Sequence, residues 1–146
     1  MAIKIFKVIW FFSLLGVLAV FMYVYASLPE TVVINENPQA VSLSKESLFY
    51  VALALIAVSN MLVFVISRTF PEQDYNFKAW FYGLVVCINL FFVIGLSFIS
   101  LYNSGEKFDY ARLGFIIYGS LVLLIVWSIS WPVYRIVQKF FHKQLV

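Results

Sequence analysis

The side chains that could transfer protons, attack a carbonyl group or bind a metal are few in this sequence and lie apart from one another. All seven acidic residues fall in predicted loops or helix caps: Glu30, Glu36, Glu46, Glu72, Asp74, Glu106 and Asp109. Glu72 and Asp74 have the spacing of an acid/base pair, although two carboxylates in a short polar link are more simply a solvated loop. His142 has no Cys or carboxylate beside it, and Cys87 has no His in any nearby segment, so neither predicts a metal site or an activated nucleophile.

Motifs for other kinds of catalysis are also missing from the sequence. There is no glycine-rich phosphate loop, no nucleophile elbow and no metalloprotease helix pair. We therefore expect no enzymatic activity, no cofactor and no metal. The net charge of +3 comes from basic residues at the edges of apolar segments, so we interpret it as a topology signal and expect no nucleic-acid partner.

Two amides, Asn60 and Asn89, are the informative polar residues because each lies within an apolar segment. An amide in hydrocarbon must find a partner or bear a desolvation cost of a few kcal/mol. At 1.5 Å rise per residue the two lie at depths that differ by only about 5 Å. They could form an interhelical hydrogen bond that fixes packing, or a polar step in a solute pathway. We favour the bond, because pathways usually recruit ionisable groups as well.

The overall composition indicates which elements hold these residues. The chain has 146 residues, of which 64% are hydrophobic and 12% charged, with a mean hydropathy of +0.97. A soluble domain of this length cannot hide so much apolar surface, whereas a bilayer solvates it. Four apolar stretches of about 20 residues are each long enough to cross the hydrocarbon core: 8–28, 48–67, 79–102 and 110–131. The predicted fold is an all-α integral membrane four-helix bundle in a single domain.

The first stretch could instead be a secretory signal peptide. Lys4 and Lys7 precede the apolar run, and Val24-Tyr25-Ala26 offers a small-x-small cleavage pattern. The run is longer, however, than the roughly 7–15 apolar residues of a signal peptide. We therefore expect an uncleaved first helix.

The basic and aromatic residues predict that both termini face the cytoplasm. Seven basic residues would then lie on the cytoplasmic side: Lys4, Lys7, Arg68, Lys78, Arg135, Lys139 and Lys143. Only three would lie on the other side: Lys45, Lys107 and Arg112. All four Trp residues fall at the cytoplasmic ends of their predicted helices: Trp10, Trp80, Trp127 and Trp131. Five Tyr residues form the opposite girdle: Tyr23, Tyr25, Tyr50, Tyr102 and Tyr110. The expected location is a cell membrane, specifically a bacterial inner membrane.

The connections between the spans differ in character. The extracytoplasmic loop 29–47 contains two short β-prone runs, 31–34 and 40–43, and the turn-like residues 36–39 between them predict a small hairpin. Ser44, Asn76 and Asp109 are predicted N-caps of the second, third and fourth helices. The links before the third and fourth helices are short, so we expect the helices that they join to be antiparallel neighbours in space.

The tail, residues 132–146, has a different pattern from the spans. Its apolar residues recur at helical spacing: Val133, Ile136, Val137, Phe140, Phe141 and Leu145. Polar and basic residues alternate with them: Arg135, Gln138, Lys139, His142 and Lys143. This pattern predicts a C-terminal amphipathic helix that lies on the membrane surface or just beyond it, with anionic lipids as its partners.

Small residues could let helices approach closely at several places. The candidate positions are Ser13 with Gly16, Ala54 with Ala57, Gly83 with Cys87, and Gly119 with Ser120. Such pairs are common in helix bundles, so they do not by themselves predict a dimer. Trp127 and Trp131 are i, i+4 neighbours and are interpreted as an interface anchor.

The order of features in the first third of the chain resembles that of SdpI-like small multi-pass bacterial membrane proteins. The resemblance lies in Leu28-Pro29-Glu30 after a first helix, a polar extracytoplasmic loop, and Ser44-Lys45 directly before the second helix. The loop lacks the His and the Gly-x-x-Asp-like stretch associated with that family. The resemblance implies a small multi-pass protein, and some members are linked to immunity against toxins.

Three functions are compatible with the sequence. The first is a non-catalytic protein that acts by binding other membrane components, as an accessory or structural subunit of a larger membrane complex. Its partners would be other integral membrane proteins. The second is a small transporter or channel, for which the available polar groups are few: Asn60, Asn89, Ser59, Ser97 and Ser100. The third, an immunity-type membrane protein, is implied by the resemblance.

Overall fold

The structure, a computed structural model, describes residues 1–34 and 41–144. Its elements in chain order are α1 (Ala2–Ser27), β1 (Thr31–Val33), β2 (Ser42–Ser44), α2 (Lys45–Thr69), α3 (Tyr75–Asn103) and α4 (Tyr110–Gln144). All four helices are long and apolar enough to cross a membrane. The prediction of an all-α membrane protein with four spans is confirmed.

The helix ends follow local sequence signals. The Ser44 side chain caps α2 by accepting a hydrogen bond of 3.3 Å from the backbone N–H of Ser47. The predicted cap of α3 was wrong: the helix begins one residue before Asn76, and Asp74 occupies the N-cap position. Asp109 directly precedes α4, and its backbone carbonyl accepts hydrogen bonds from the backbone N–H groups of Arg112 and Leu113.

Helix α3 lies at the centre of the bundle and packs against the other three helices. It runs parallel to α1, because Trp10 contacts Tyr82 near one end and Ser27 contacts Ser100 near the other. It is antiparallel to α2 and α4, as the short links predicted. Helices α1 and α2 also touch, through side chains such as Trp10 and Phe64, although fewer of their residues come close together. The long connection between them lets α1 pack mainly on α3.

The strands form the predicted hairpin, and the side chain of Asn103 attaches it to α3. β1 and β2 are antiparallel, with Thr31 opposite Ser44 and Val33 opposite Ser42. The Asn103 amide accepts a 3.0 Å bond from the Val33 N–H and donates a 3.0 Å bond to the Val33 carbonyl. It thus pairs with β1 as a neighbouring strand would. The predicted turn, residues 36–39, lies outside the described residues.

Buried apolar side chains form two clusters, one toward each end of the bundle. The cluster on the hairpin side comprises Val17, Phe21, Val24, Leu28, Val32, Ala52, Ile56 and Leu96. The cluster on the side of the chain termini, the terminal side, comprises Val63, Tyr82 and Val85 with Phe6, Trp10 and Phe81 around them. Asn60 and Asn89 fall between the two clusters along α2 and α3 and are themselves buried.

Helix α4 runs without a break through Pro132, so the predicted amphipathic tail does not begin a separate helix. Its 35 residues make it about 50 Å long, well beyond the roughly 30 Å hydrocarbon core of a bilayer. Residues 132–144, here called the basic arm, therefore extend past the span on the terminal side. Leu145, the last apolar residue of the predicted stripe, lies outside the described residues.

Candidate functional site

The two amides singled out from the sequence are bonded to each other. Asn60 Nδ2 donates to Asn89 Oδ1 at 2.9 Å, and Asn89 Nδ2 donates to Asn60 Oδ1 at 3.0 Å. Asn89 is fully buried and Asn60 is 6% exposed. The structure thus brings together the predicted polar pair, facing the bundle interior, as a reciprocal bond between α2 and α3.

Two residues of α1 complete this cluster, which we call the polar node: Trp10, Ser13, Asn60 and Asn89. Trp10 Nε1 donates to Asn60 Oδ1 at 2.9 Å, and Ser13 Oγ accepts from Asn89 Nδ2 at 3.0 Å. Asn60 Nδ2 also donates to the carbonyl of Ile56 at 2.8 Å. The node therefore ties three helices together at one depth.

Trp10 was predicted to lie in the interfacial girdle, and its bond to Asn60 was not predicted. Because α1 begins at Ala2, Trp10 lies about 12 Å inside the helix, two turns from its start. The signal that could have found it is its i, i+3 spacing with Ser13, which puts an indole donor and a hydroxyl on one helix face. Polar groups so placed within a span favour a partner inside the bundle.

We call the polar node closed because its two amides are already bonded to other protein groups. Both amide groups have protein partners for their nitrogen and oxygen atoms. Across residues 1–34 and 41–144, no buried side-chain nitrogen or oxygen lacks a hydrogen-bond partner. The node contains no ionisable side chain. Its hydrogen bonds join α1, α2 and α3, and such bonds stabilise the packing of neighbouring helices.

On the terminal side, two tryptophans lock α3 to α4. Trp80 Nε1 donates to the carbonyl of Trp127 at 2.9 Å, and Trp127 Nε1 donates to the carbonyl of Trp80 at 3.0 Å. The Trp127 indole lies over Gly83, where a β-carbon would be 2.7 Å from its Cε2 atom. Any larger residue at position 83 would force the helices or the indole to shift, so Trp127 is a packing residue.

Lys78, one of the basic residues that predict the topology, is buried on the terminal side. Its Nζ donates to the carbonyl of Ser67 at 3.0 Å, in the last turn of α2. Ser67 Oγ is also 3.0 Å from the Tyr82 hydroxyl. A lysine at a helix C-terminus satisfies a carbonyl that has no intrahelical donor and complements the helix dipole. Lys78 thus connects the end of α2 to α3.

An apolar groove of about 630 Å³ lies on the hairpin side. Its floor is α3, and its walls are α2 and α4, which stand apart there. A β-carbon at Gly95 would meet nothing within 4 Å, so this floor position opens into free space. The groove is lined by Ile34, Leu48, Val51, Ala52, Leu55, Phe91, Phe92, Gly95, Leu96, Phe98, Ile99, Tyr102, Ala111, Gly114, Ile117 and Tyr118. Sequence reasoning missed it, since it depends on how far α4 stands from α2.

The remaining candidates from the sequence do not come together. Glu72 and Asp74 are exposed in the link before α3, and Asp74 sits at the N-cap position. His142 is exposed on the basic arm. In the described part of the chain, no three His, Cys, Asp or Glu side chains are grouped so as to hold a metal ion.

The chain was compared with known proteins on three levels. No family model matches it, and neither does any curated protein or solved structure. The resemblance of its first third to SdpI-like proteins therefore stays a prediction. What stands from its own residues is a multi-pass α-helical membrane protein with a closed polar node and an open apolar groove.

Proposed function

We propose that this protein is a non-catalytic membrane protein that acts by binding other membrane components, as an accessory or structural subunit of a larger membrane complex. The observation that carries the proposal is the groove between α2 and α4. A concave site of this size, formed at the junction of helices in a bundle, is the usual setting for ligand binding.

The lining of the groove supports binding without chemistry. It contains no ionisable side chain apart from the phenols of Tyr102 and Tyr118. General acid, base or nucleophilic catalysis needs a group that ionises or attacks near neutral pH. Phe91, Phe92 and Phe98 instead present large apolar rings, whose contribution is close packing against an apolar partner.

The closed node makes the transport alternative less favoured. A polar step in a solute pathway must offer donors or acceptors that a passing solute can use. In the node, the donors and acceptors of Asn60 and Asn89 are already bonded to each other and to Trp10, Ser13 and the Ile56 carbonyl. Opening a path there would break bonds between three helices. The geometry therefore supports a packing role for the pair.

The basic arm supports a second contact, with anionic lipid headgroups. Arg135, Gln138, Lys139 and His142 line one side of it, and Arg135 lies 5.8 Å from the Trp131 ring. Phe140 and Phe141 are exposed beside them. Cations and exposed aromatic rings on one helix are typical of segments that bind an anionic membrane surface.

A photo-crosslinking pair tests the proposal. Benzoylphenylalanine would replace Phe98, which lines the groove, or Phe115, which does not line it and is 80% exposed. Both lie five residues from the hairpin-side end of their helices, so their depths match. In native membranes we expect discrete adducts from position 98 and only a diffuse background from position 115. Equal, diffuse crosslinking from both positions would overturn the proposal.

A further inference from the structure

We propose that the occupant of the groove is one hydrocarbon chain of a phospholipid from the leaflet on the hairpin side. This rests on the proposed function, because it names the component that the groove binds. A transmembrane helix of a partner protein is the competing occupant. The depth, the length and the mouth of the groove favour the lipid chain.

The depth of the groove matches one leaflet. On α3 its lining runs from Phe91 to Tyr102, about 16 Å, and ends one residue before the helix does. On α2 it begins at Leu48, three residues into the helix, and on α4 at Ala111. Half of a bilayer hydrocarbon core is about 15 Å. The groove therefore starts at the hairpin-side interface and stops near the midplane.

Toward the terminal side, well beyond the end of the groove, α4 is held against α3. The Trp127 indole sits on Gly83, and reciprocal indole-to-carbonyl bonds hold α4 against α3 there. A partner helix that spans the bilayer needs contact along about 20 residues, through both leaflets. The lining of the groove ends at Leu55, Phe91 and Tyr118, so such a helix would have no groove to follow beyond mid-depth. A lipid chain of one leaflet ends near the midplane, so the length of the groove matches the length of such a chain.

The walls and the mouth have the chemistry of a lipid site. The walls are aliphatic and aromatic, which suits an apolar chain held by dispersion contacts and not by directional bonds. At the mouth, Tyr102 and Ala111 mark the interface, and the α3–α4 link and first turn of α4 carry exposed Lys107 and Arg112. Arg112 is 3.6 Å from Asp109 with its side chain 90% exposed, so its guanidinium remains accessible to a phosphate.

Two glycine substitutions form the test. Gly95→Leu fills the floor of the groove, since a β-carbon there meets nothing within 4 Å. Gly119→Leu is the matched control, because that position is equally open but faces away from the groove. Both changes add the same side chain within an apolar helix. Each full-length variant would be purified in mild detergent, and its retained phospholipid quantified by phosphate assay and native mass spectrometry.

We expect the wild type and Gly119→Leu to retain about one phospholipid per chain, as for a single concave site. Gly95→Leu should lose it several-fold, with unchanged helicity by circular dichroism. No retained lipid in the wild type, or equal retention in Gly95→Leu, would overturn the proposal. If Gly95→Leu fails to fold, the mass of the photo-crosslinked adduct from position 98 decides. An adduct that contains a phospholipid supports the proposal, and an adduct with another protein alone refutes it. An adduct with another protein alone would still support the proposed binding function. The absence of any discrete adduct would contradict both the binding function and the lipid occupant.

Discussion

The indole of Trp127 occupies the space that a β-carbon on Gly83 would need, with Cε2 2.7 Å from that position. The contact lies beside the reciprocal bonds between Trp80 and Trp127, so the two helices are held by shape and by hydrogen bonds at one point. Gly83 is buried on the central helix, so an added β-carbon would require the indole or the two helices to shift. The approach of α4 to α3 on the terminal side depends on this pair.

Replacing Gly83 with alanine should therefore destabilise the protein. We expect a loss of about 1–3 kcal/mol, typical of overpacking a tight contact. Gly119→Ala is the control on the partner helix, since a β-carbon there meets nothing within 4 Å, and it should be neutral or slightly stabilising. Unfolding in mixed micelles, followed by circular dichroism, measures both. Equal stability of the two variants would show that the indole moves aside at no cost.

The polar node predicts a coupled response to substitution. Asn60→Leu or Asn89→Leu alone should cost about 1 kcal/mol, since each leaves the other amide without its partner in an apolar interior. The double variant should lose less than the sum of the two, because the orphaned group is gone. Additive losses in this double-mutant cycle, measured as unfolding free energies, would argue against a direct bond.

A milder change tests the part played by α1 in the node. Trp10→Phe keeps an aromatic ring but removes the Nε1 donor to Asn60. The Asn60 oxygen keeps its bond from Asn89, so we expect a loss of only about 0.6 kcal/mol. A loss as large as that of Asn89→Leu would mean that Trp10, not the amide pair, dominates the node.

The predicted topology can be checked in intact cells. The basic residues and aromatic girdles put both termini inside and the hairpin loop outside. With the buried Cys87 replaced by alanine, a cysteine at Asn35 should react with an impermeant thiol reagent. A cysteine at Gln73, in the exposed link between α2 and α3, should be protected until the cells are opened. The reverse labelling pattern would show that the protein has the opposite orientation in the membrane.

The basic arm should respond to lipid charge. A polarity-sensitive dye on a cysteine at Gln138, again without Cys87, should report a more apolar setting in nanodiscs with anionic lipids than in neutral ones. Each of Arg135 and Lys139 should contribute about 1 kcal/mol, so changing both to Gln, or raising the salt concentration, should abolish the difference. The same dye at Gln73 is the control. Identical spectra in both lipids would indicate that the arm projects away from the membrane.

Much of the architecture was predictable because it depends on local composition. Four long apolar segments require helices in a bilayer, since every backbone N–H and C=O must be paired within the segment. Ser44 caps α2 through its own side chain, which is a short-range signal. Asn60 and Asn89 could be paired in advance because each is a polar exception in an apolar run, and helical rise sets their depth.

The faces on which the helices meet were decided by tertiary structure alone. In water, a polar and an apolar face show which side of a helix is buried, but lipid tails are as apolar as a protein core, so that signal is missing. The parallel contact of α1 with α3, the inward position of Trp10 and the seat of Trp127 on Gly83 all depend on side-chain fit between distant segments. The groove results from the same fit. Helix α4 lies close to α3 at Gly83, and on the hairpin side it stands apart from α2, which leaves the floor at Gly95 open.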